Sequence, residues 1–253
     1  MTPTKQLTQP LAVLSALAQE QQGLVTQLEH AQCVRYAGRD FWCGHWQGTP
    51  VVLALSRIGK VAAATTAAAL IERFGAGQIV FTGVAGGVGD GVQVGDIVVG
   101  TGFVQHDMDA SPLFPRYQIP LTGQTVLAGD LRLTDLLVQA SQHMLSVGGP
   151  MNGARVHSGL IASGDRFVNG AQEVATLVNG LRAAGHVPLA VEMEGAAVAQ
   201  VCADHGVAFA AVRTISDRAD DTAHVDFAQF VDQVASAYTR EIVTNFLKLL
   251  QKT

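Results

Sequence analysis

The stretch Leu189–Asp221, LAVEMEGAAVAQVCADHGVAFAAVRTISDRADD, constrains what this chain can fold into more than any other part of it. An apolar run ends on Glu192-Met193-Glu194, a segment of small helix-forming residues follows, and a second apolar run ends on Arg213, Ser216 and Asp217. Short apolar runs separated by a helical segment read as strand, helix, strand. Strands joined in this way are expected to be parallel and adjacent, since a short crossover returns the chain to a neighbouring place in the sheet. Glu194, Arg213 and Asp217 would then converge on the edge where open α/β sheets bind ligands. Spacing alone leaves two readings open: a structural ion-pair network, or a functional site.

Composition narrows the class. At 253 residues and 48% hydrophobic, the chain has ample material for one α/β domain around a buried sheet. A formal net charge of −5 gives no electrostatic reason to expect nucleic-acid or membrane-surface binding. Cys33, Cys43 and Cys202 are odd in number and lack C-x-x-C spacing, so neither a disulfide framework nor a zinc site is indicated. No segment approaches the roughly 18 uninterrupted apolar residues of a membrane span. The N-terminus MTPTKQLTQP has no apolar core of a secretory signal, and a cytoplasmic location is expected.

Residues 1–10 read as a polar lead and residues 11–253 as one domain. Leu11 to Leu17 is expected to form the first strand and Gln19 to His30 a helix opened by Glu20. Val34 to Trp46 and Val51 to Ser56 read as two strands around the Gly48-Thr49-Pro50 turn. A glycine turn then opens a helix ending on Gly75, and Gln78 to Thr82 is a strand entering GVAGGVGDG. That glycine run lacks the phasing of a dinucleotide fingerprint and leads into another strand, GDIVVGTGFV. QHDMDASPLFPRYQIP, Gln105 to Pro120, carries three prolines and reads as an ordered loop. Its His106, Asp107 and Asp109 have no second cluster nearby, so loop hydrogen bonds and not a metal are expected. A helix from Leu131 to Met144, a strand from Val156 to Ala162 and a helix from Ala171 to Ala184 follow. Phe227, Phe230, Val231, Val234, Tyr238, Ile242, Phe246 and Leu249 recur at helical spacing and describe a C-terminal helix covering the sheet.

Several separated motifs, in order, resemble those of the nucleoside phosphorylase and nucleosidase superfamily: SRIGKVAAA, TGVAGG, SGDRFV, and VEMEGAAVAQV followed by AVRTISDRADD. Similarity is greatest to the 5′-methylthioadenosine/S-adenosylhomocysteine nucleosidases. The resemblance implies a single α/β domain with a central mixed twisted sheet flanked by helices. It also implies hydrolysis of an N-glycosidic bond that releases adenine, with no metal or redox cofactor. By the same match, Glu20 activates water and Asp217 is the catalytic acid, with Ser216 orienting it. Phe167 stacks on the base and the backbone of Val168 reads its edge; Glu194 holds the ribose above Met193, and Arg213 falls on the ribose side. Val84 replaces a common serine and is expected to be a wall. Leu113, Phe114 and Pro120 match loop residues that complete a neighbouring subunit's alkylthio pocket, implying a homodimer.

The implied chemistry needs Asp217 protonated beside purine N7 and Glu20 ionised beside water, which would follow if Glu20 lay nearer solvent. The first rival is a purine nucleoside phosphorylase. The positions of that group's phosphate-binding arginine and serine are Phe81 and Val84 here, and Arg57 is the cation that keeps the reading open. The others are a nucleosidase for another 6-amino nucleoside, such as aminodeoxyfutalosine or AMP, and a non-catalytic purine-binding protein.

Overall fold

The computed structural model describes residues 9–148, 151, 153–220, 223, 227 and 230–252. Most of the polar lead therefore lies outside the described residues. Ten strands share one mixed sheet. They are β1 (Leu11–Ser15), β2 (Glu29–Tyr36), β3 (Arg39–Trp46), β4 (Thr49–Leu55), β5 (Gln78–Gly87), β6 (Ile97–Gln105), β7 (Val126–Ala128), β8 (Val156–Ser163), β9 (Pro188–Glu192) and β10 (Ala208–Asp217). Among the described residues, five helices flank them: α1 (Lys60–Glu72), α2 (Leu131–Ser146), α3 (Ala171–Ala183), α4 (Gly195–His205) and α5 (Ser236–Leu250).

Burial on both faces explains why β1, β5, β6 and β10 read as continuous apolar runs. Along β1, Ala12 and Leu14 join one core while Leu11 and Val13 join the other. The first core receives the alanine-rich α1 and α4 through Ala63, Ala67, Ala196 and Ala199, whose small side chains let the helices approach closely. The second receives α2 and α5 through Leu133, Leu137, Tyr238, Ile242 and Phe246. Two helix ends carry ordinary caps: Asp130 accepts the Leu133 N–H at 2.9 Å to start α2, and left-handed Gly206 ends α4.

The topology corrects the expectation for the stretch Leu189–Asp221. β9 and β10 are neither adjacent nor parallel; β5 lies between them, parallel to β10 and antiparallel to β9. β5, β10, β6, β8 and β9 pair in a closed ring, from which β1, β4, β3 and β2 extend. β1 stops pairing with β5 at Phe81, and β9 begins only at Gly86. Over Thr82–Ala85, β5 thus presents one edge with no strand beside it among the described residues. Gly86 is bracketed by Val191 of β9 and Asp217 of β10, which brings the two chain segments together.

Smaller corrections have local causes. The expected helix from Gln19 to His30 is a series of turns, a 3₁₀ turn at Val25–Gln27 and the start of β2. Left-handed Gly23 interrupts it, and the Glu20 carboxylate binds backward to the N–H groups of Ala16 and Leu17. The single strand Val34 to Trp46 is a β2–β3 hairpin turning at Ala37-Gly38, both with positive φ, as a tight hairpin requires. β5 runs five residues beyond Thr82, and β7 had no expected counterpart. A π-helical turn, Val231–Ala235, precedes α5, and Phe227 both packs against the second core and lines a cavity.

Candidate active site

The open edge of β5 forms the back of a cavity of about 330 Å³, whose walls come from the turn after β1, the β4–α1 loop, and the ends of β9 and β10. Eight expected site residues line it: Glu20, Val84, Phe167, Val168, Met193, Glu194, Ser216 and Asp217. Arg213, Leu113, Phe114 and Pro120 do not.

Glu20 is fixed where the strand is missing. Its Oε1 accepts the Val84 N–H at 3.1 Å, and its Oε2 accepts Ala16 and Leu17 N–H at 2.8 and 2.9 Å. It is 2% exposed, so the expectation that it lies nearer water is corrected. Burial raises its pKa, opposed by those backbone N–H groups and the charge of Arg213. The glycine at position 83 makes room for it: a Cβ there would stand 2.9 Å from Glu20 Oε1. Gly83 and Gly86 thus bring the strand close to the two carboxylates.

Asp217, 2% exposed, ends β10. Ser216 donates its hydroxyl to Oδ2 at 2.7 Å, and the Ala219 N–H reaches Oδ1 at 2.8 Å. A Cβ at Gly86 would lie 3.0 Å from Oδ1, so the carboxyl group rests against bare backbone.

Glu192 and Glu194 have separate partners. Glu192 accepts N–H groups from Glu194 and Gly195 at the start of α4, the Ser163 hydroxyl, and Arg213 Nη2 at 2.7 Å. The other guanidinium nitrogen, Nη1, bonds the Phe81 carbonyl at 3.2 Å, and the group lies 4.1 Å above the Phe81 ring. Arg213 therefore sits behind the cavity wall as the counterion of Glu192. Glu194 turns the other way and accepts the Gly59 N–H at 2.8 Å, before the first turn of α1. Burial and the neighbouring charge of Glu192 push its pKa up to about 8.

The remaining wall is mostly apolar, supplied by Leu17, Ile58, Phe167, Val168, Val191 and Phe227. Phe167 meets Phe227 edge to face at 5.6 Å. Among the described lining residues the one cation is Arg166, paired with Glu173 at 2.7 Å. Ile58, Phe227 and Glu192 were missed as site residues. Phe227 fits a helical repeat equally well, and only its distance from the other motifs distinguished it. In the proline-rich loop, Asp107 pairs with Lys60 at 2.5 Å, and Asp109 accepts from Ser111 at 2.6 Å. Leu113 is 84% exposed.

This architecture and site define a class. The model of the phosphorylase superfamily matches residues 10–248, and the chain belongs to that family. Within it, the chain is 35% identical over 239 residues to the 5′-methylthioadenosine/S-adenosylhomocysteine nucleosidase of Bacillus subtilis, covering 94% of this chain and 98% of that one. The nucleosidase of the same name from Neisseria meningitidis, solved with methylthio-immucillin-A, superposes with a TM-score of 0.86 at 35% identity, covering 95% and 99% of the two chains. A futalosine hydrolase from Helicobacter pylori superposes with a TM-score of 0.84 at 28% identity, covering 95% and 99%.

Proposed function

We propose that the protein hydrolyses the N-glycosidic bond of 5′-methylthioadenosine and S-adenosylhomocysteine, releasing adenine and the thioribose product. The carrying observation is one cavity that holds the Ser216-Asp217 pair and a backbone-anchored Glu20, with Glu194 also in its wall. The adenine ring packs against Phe167, with the Val168 backbone reading its edge. Asp217 in its acid form donates a proton to N7 as the base departs, and Ser216 holds the carboxyl in register. Glu194 hydrogen-bonds the ribose hydroxyls over Met193 and fixes the sugar. Glu20 deprotonates the attacking water; its anchors at Ala16, Leu17 and Val84 fix the carboxylate without a side-chain partner.

Water and not phosphate is the acceptor in this reading. Phosphate needs cations free to receive it, whereas Arg213 is paired with Glu192, Arg166 with Glu173, and Arg57 lines a different cleft. The active form is a homodimer, supported by the exposure of Leu113 on a loop that does not reach its own cavity. Leu113, Phe114 and Pro120 then wall the partner's 5′-alkylthio pocket, and the setting is cytoplasmic. Incubation with methylthioadenosine, with and without phosphate, tests the reaction. Adenine with free methylthioribose in both cases is expected; a sugar phosphate formed only with phosphate would assign a phosphorylase. Hydrolysis of aminodeoxyfutalosine but not of methylthioadenosine would move the substrate toward that of the futalosine hydrolase relative.

A further inference from the structure

Beside the β2–β3 hairpin lies a second cavity of about 340 Å³, bounded by Arg35, Arg39, Asp40, Trp42, Leu55 and Arg57. Three guanidinium groups against one carboxylate make it locally cationic on a chain whose net charge is −5. Among the described residues, none of the three arginines forms an ion pair. Their recorded partners are neutral carbonyls: Arg39 donates to Ala37 and Ala62 at 3.0 and 3.2 Å, and Arg57 to Gly38 at 2.5 Å. The Nε of Arg39 is buried with no partner. Burial and the charge of Arg57 both hold the Arg39 pKa below its usual value, so the two cations crowd each other. Arg57 also adopts φ +67, a left-handed conformation that a residue with a side chain takes only at a cost.

Like charges gathered around an open cavity, with donors unused, fit an oxyanion that would accept from several guanidinium groups at once. We propose that this cleft binds a small phosphate-bearing anion, recognised by Arg35, Arg39 and Arg57 beside the apolar wall of Trp42. It is separate from the catalytic cavity, since none of the three arginines lines that one, although Ala16 lines both. The phosphate has two possible sources, free phosphate anions and the phosphate of a nucleotide whose base packs on Trp42.

Calorimetric titration of the full chain at constant ionic strength, with chloride as the balancing anion, tests the proposal. Inorganic pyrophosphate should bind saturably, and at least ~10-fold more weakly to the variant carrying Arg35→Gln and Arg57→Gly, the scale of losing a charge-assisted hydrogen bond. Methylthioadenosine turnover by that variant should be unchanged. Arg35→Gln alone alters one exposed strand residue and serves as a second, less disruptive variant. Uridine 5′-monophosphate separates the sources, because it lacks the purine that the catalytic cavity would take. Binding tighter than that of inorganic phosphate assigns a nucleotide, and equal or weaker binding assigns the free anion. Neither probe binding beyond the chloride background, or both variants binding pyrophosphate like the wild type, overturns the proposal.

Discussion

The guanidinium of Arg213 closes on the carboxylate of Glu192, Nη2 to Oε2 at 2.7 Å, with the two side chains 2% and 3% exposed. A pair so buried and so fully bonded is a structural counterion arrangement that also sets the field around Glu20 and Glu194. Removing one partner leaves an uncompensated charge in the interior, which typically costs about 3–5 kcal/mol. Arg213→Met should therefore lower stability by that order in a urea unfolding experiment. An unchanged unfolding midpoint would return Arg213 to a role in contacting substrate alone.

Glu194 makes stability depend on pH in a direction the sequence did not suggest. With its folded-state pKa raised to about 8 from the ordinary 4.5, the folded chain holds a proton that the unfolded chain has released between those limits. Stability from this group is thus present below about pH 4.5 and is lost as pH rises toward 8. Glu194→Gln removes the proton uptake. The variant should be more stable than the wild type at pH 9 by at least ~1 kcal/mol, with the difference vanishing toward pH 4. Denaturant curves at the two pH values decide it; a variant less stable at pH 9 contradicts the argument.

Gly83 is a position where a single methyl group should separate folding from chemistry. A Cβ there would meet Glu20 Oε1 at 2.9 Å, and Glu20 is held on its other side by Ala16 and Leu17. Gly83→Ala should displace the carboxylate and lower kcat by at least ~10-fold, because misplacing a catalytic group by a fraction of an ångström is costly. Adenine affinity should be close to wild type, since Phe167 and Val168 are untouched. Loss of affinity with kcat preserved would place Glu20 at the base and not at water.

Much of the fold and of the site is legible in the amino-acid sequence. Both faces of the sheet are buried along β1, β5, β6 and β10, so those strands appear as apolar runs, and the small-residue segments of α1 and α4 appear as helices packed close on them. Glu194, Ser216 and Asp217 stand at strand ends, where alternation stops and polarity begins, which marks them without topology. Neighbour relations were not legible. The crossover from β9 to β10 looks like any βαβ unit, yet the ring closes through β5, whose two-residue contact with β9 is too short to leave a pattern. Arg213 illustrates the same limit: the family resemblance implies a place on the ribose side, and only the buried Glu192 shows where its charge is used. The turn holding Glu20 resembled a helix because nothing local reveals a carboxylate that binds backward to Ala16 and Leu17.

The most direct test is single-turnover release of adenine from methylthioadenosine, without phosphate, by the wild type and by Asp217→Asn. Asn keeps the size of the side chain and can still bond the Ser216 hydroxyl, but it cannot give a proton to N7. The expected result is phosphate-independent release by the wild type and release at least ~10²-fold slower by the folded variant, which still binds adenine nucleosides. Near-wild-type release by Asp217→Asn, or no release by the wild type until phosphate is added, would contradict the account.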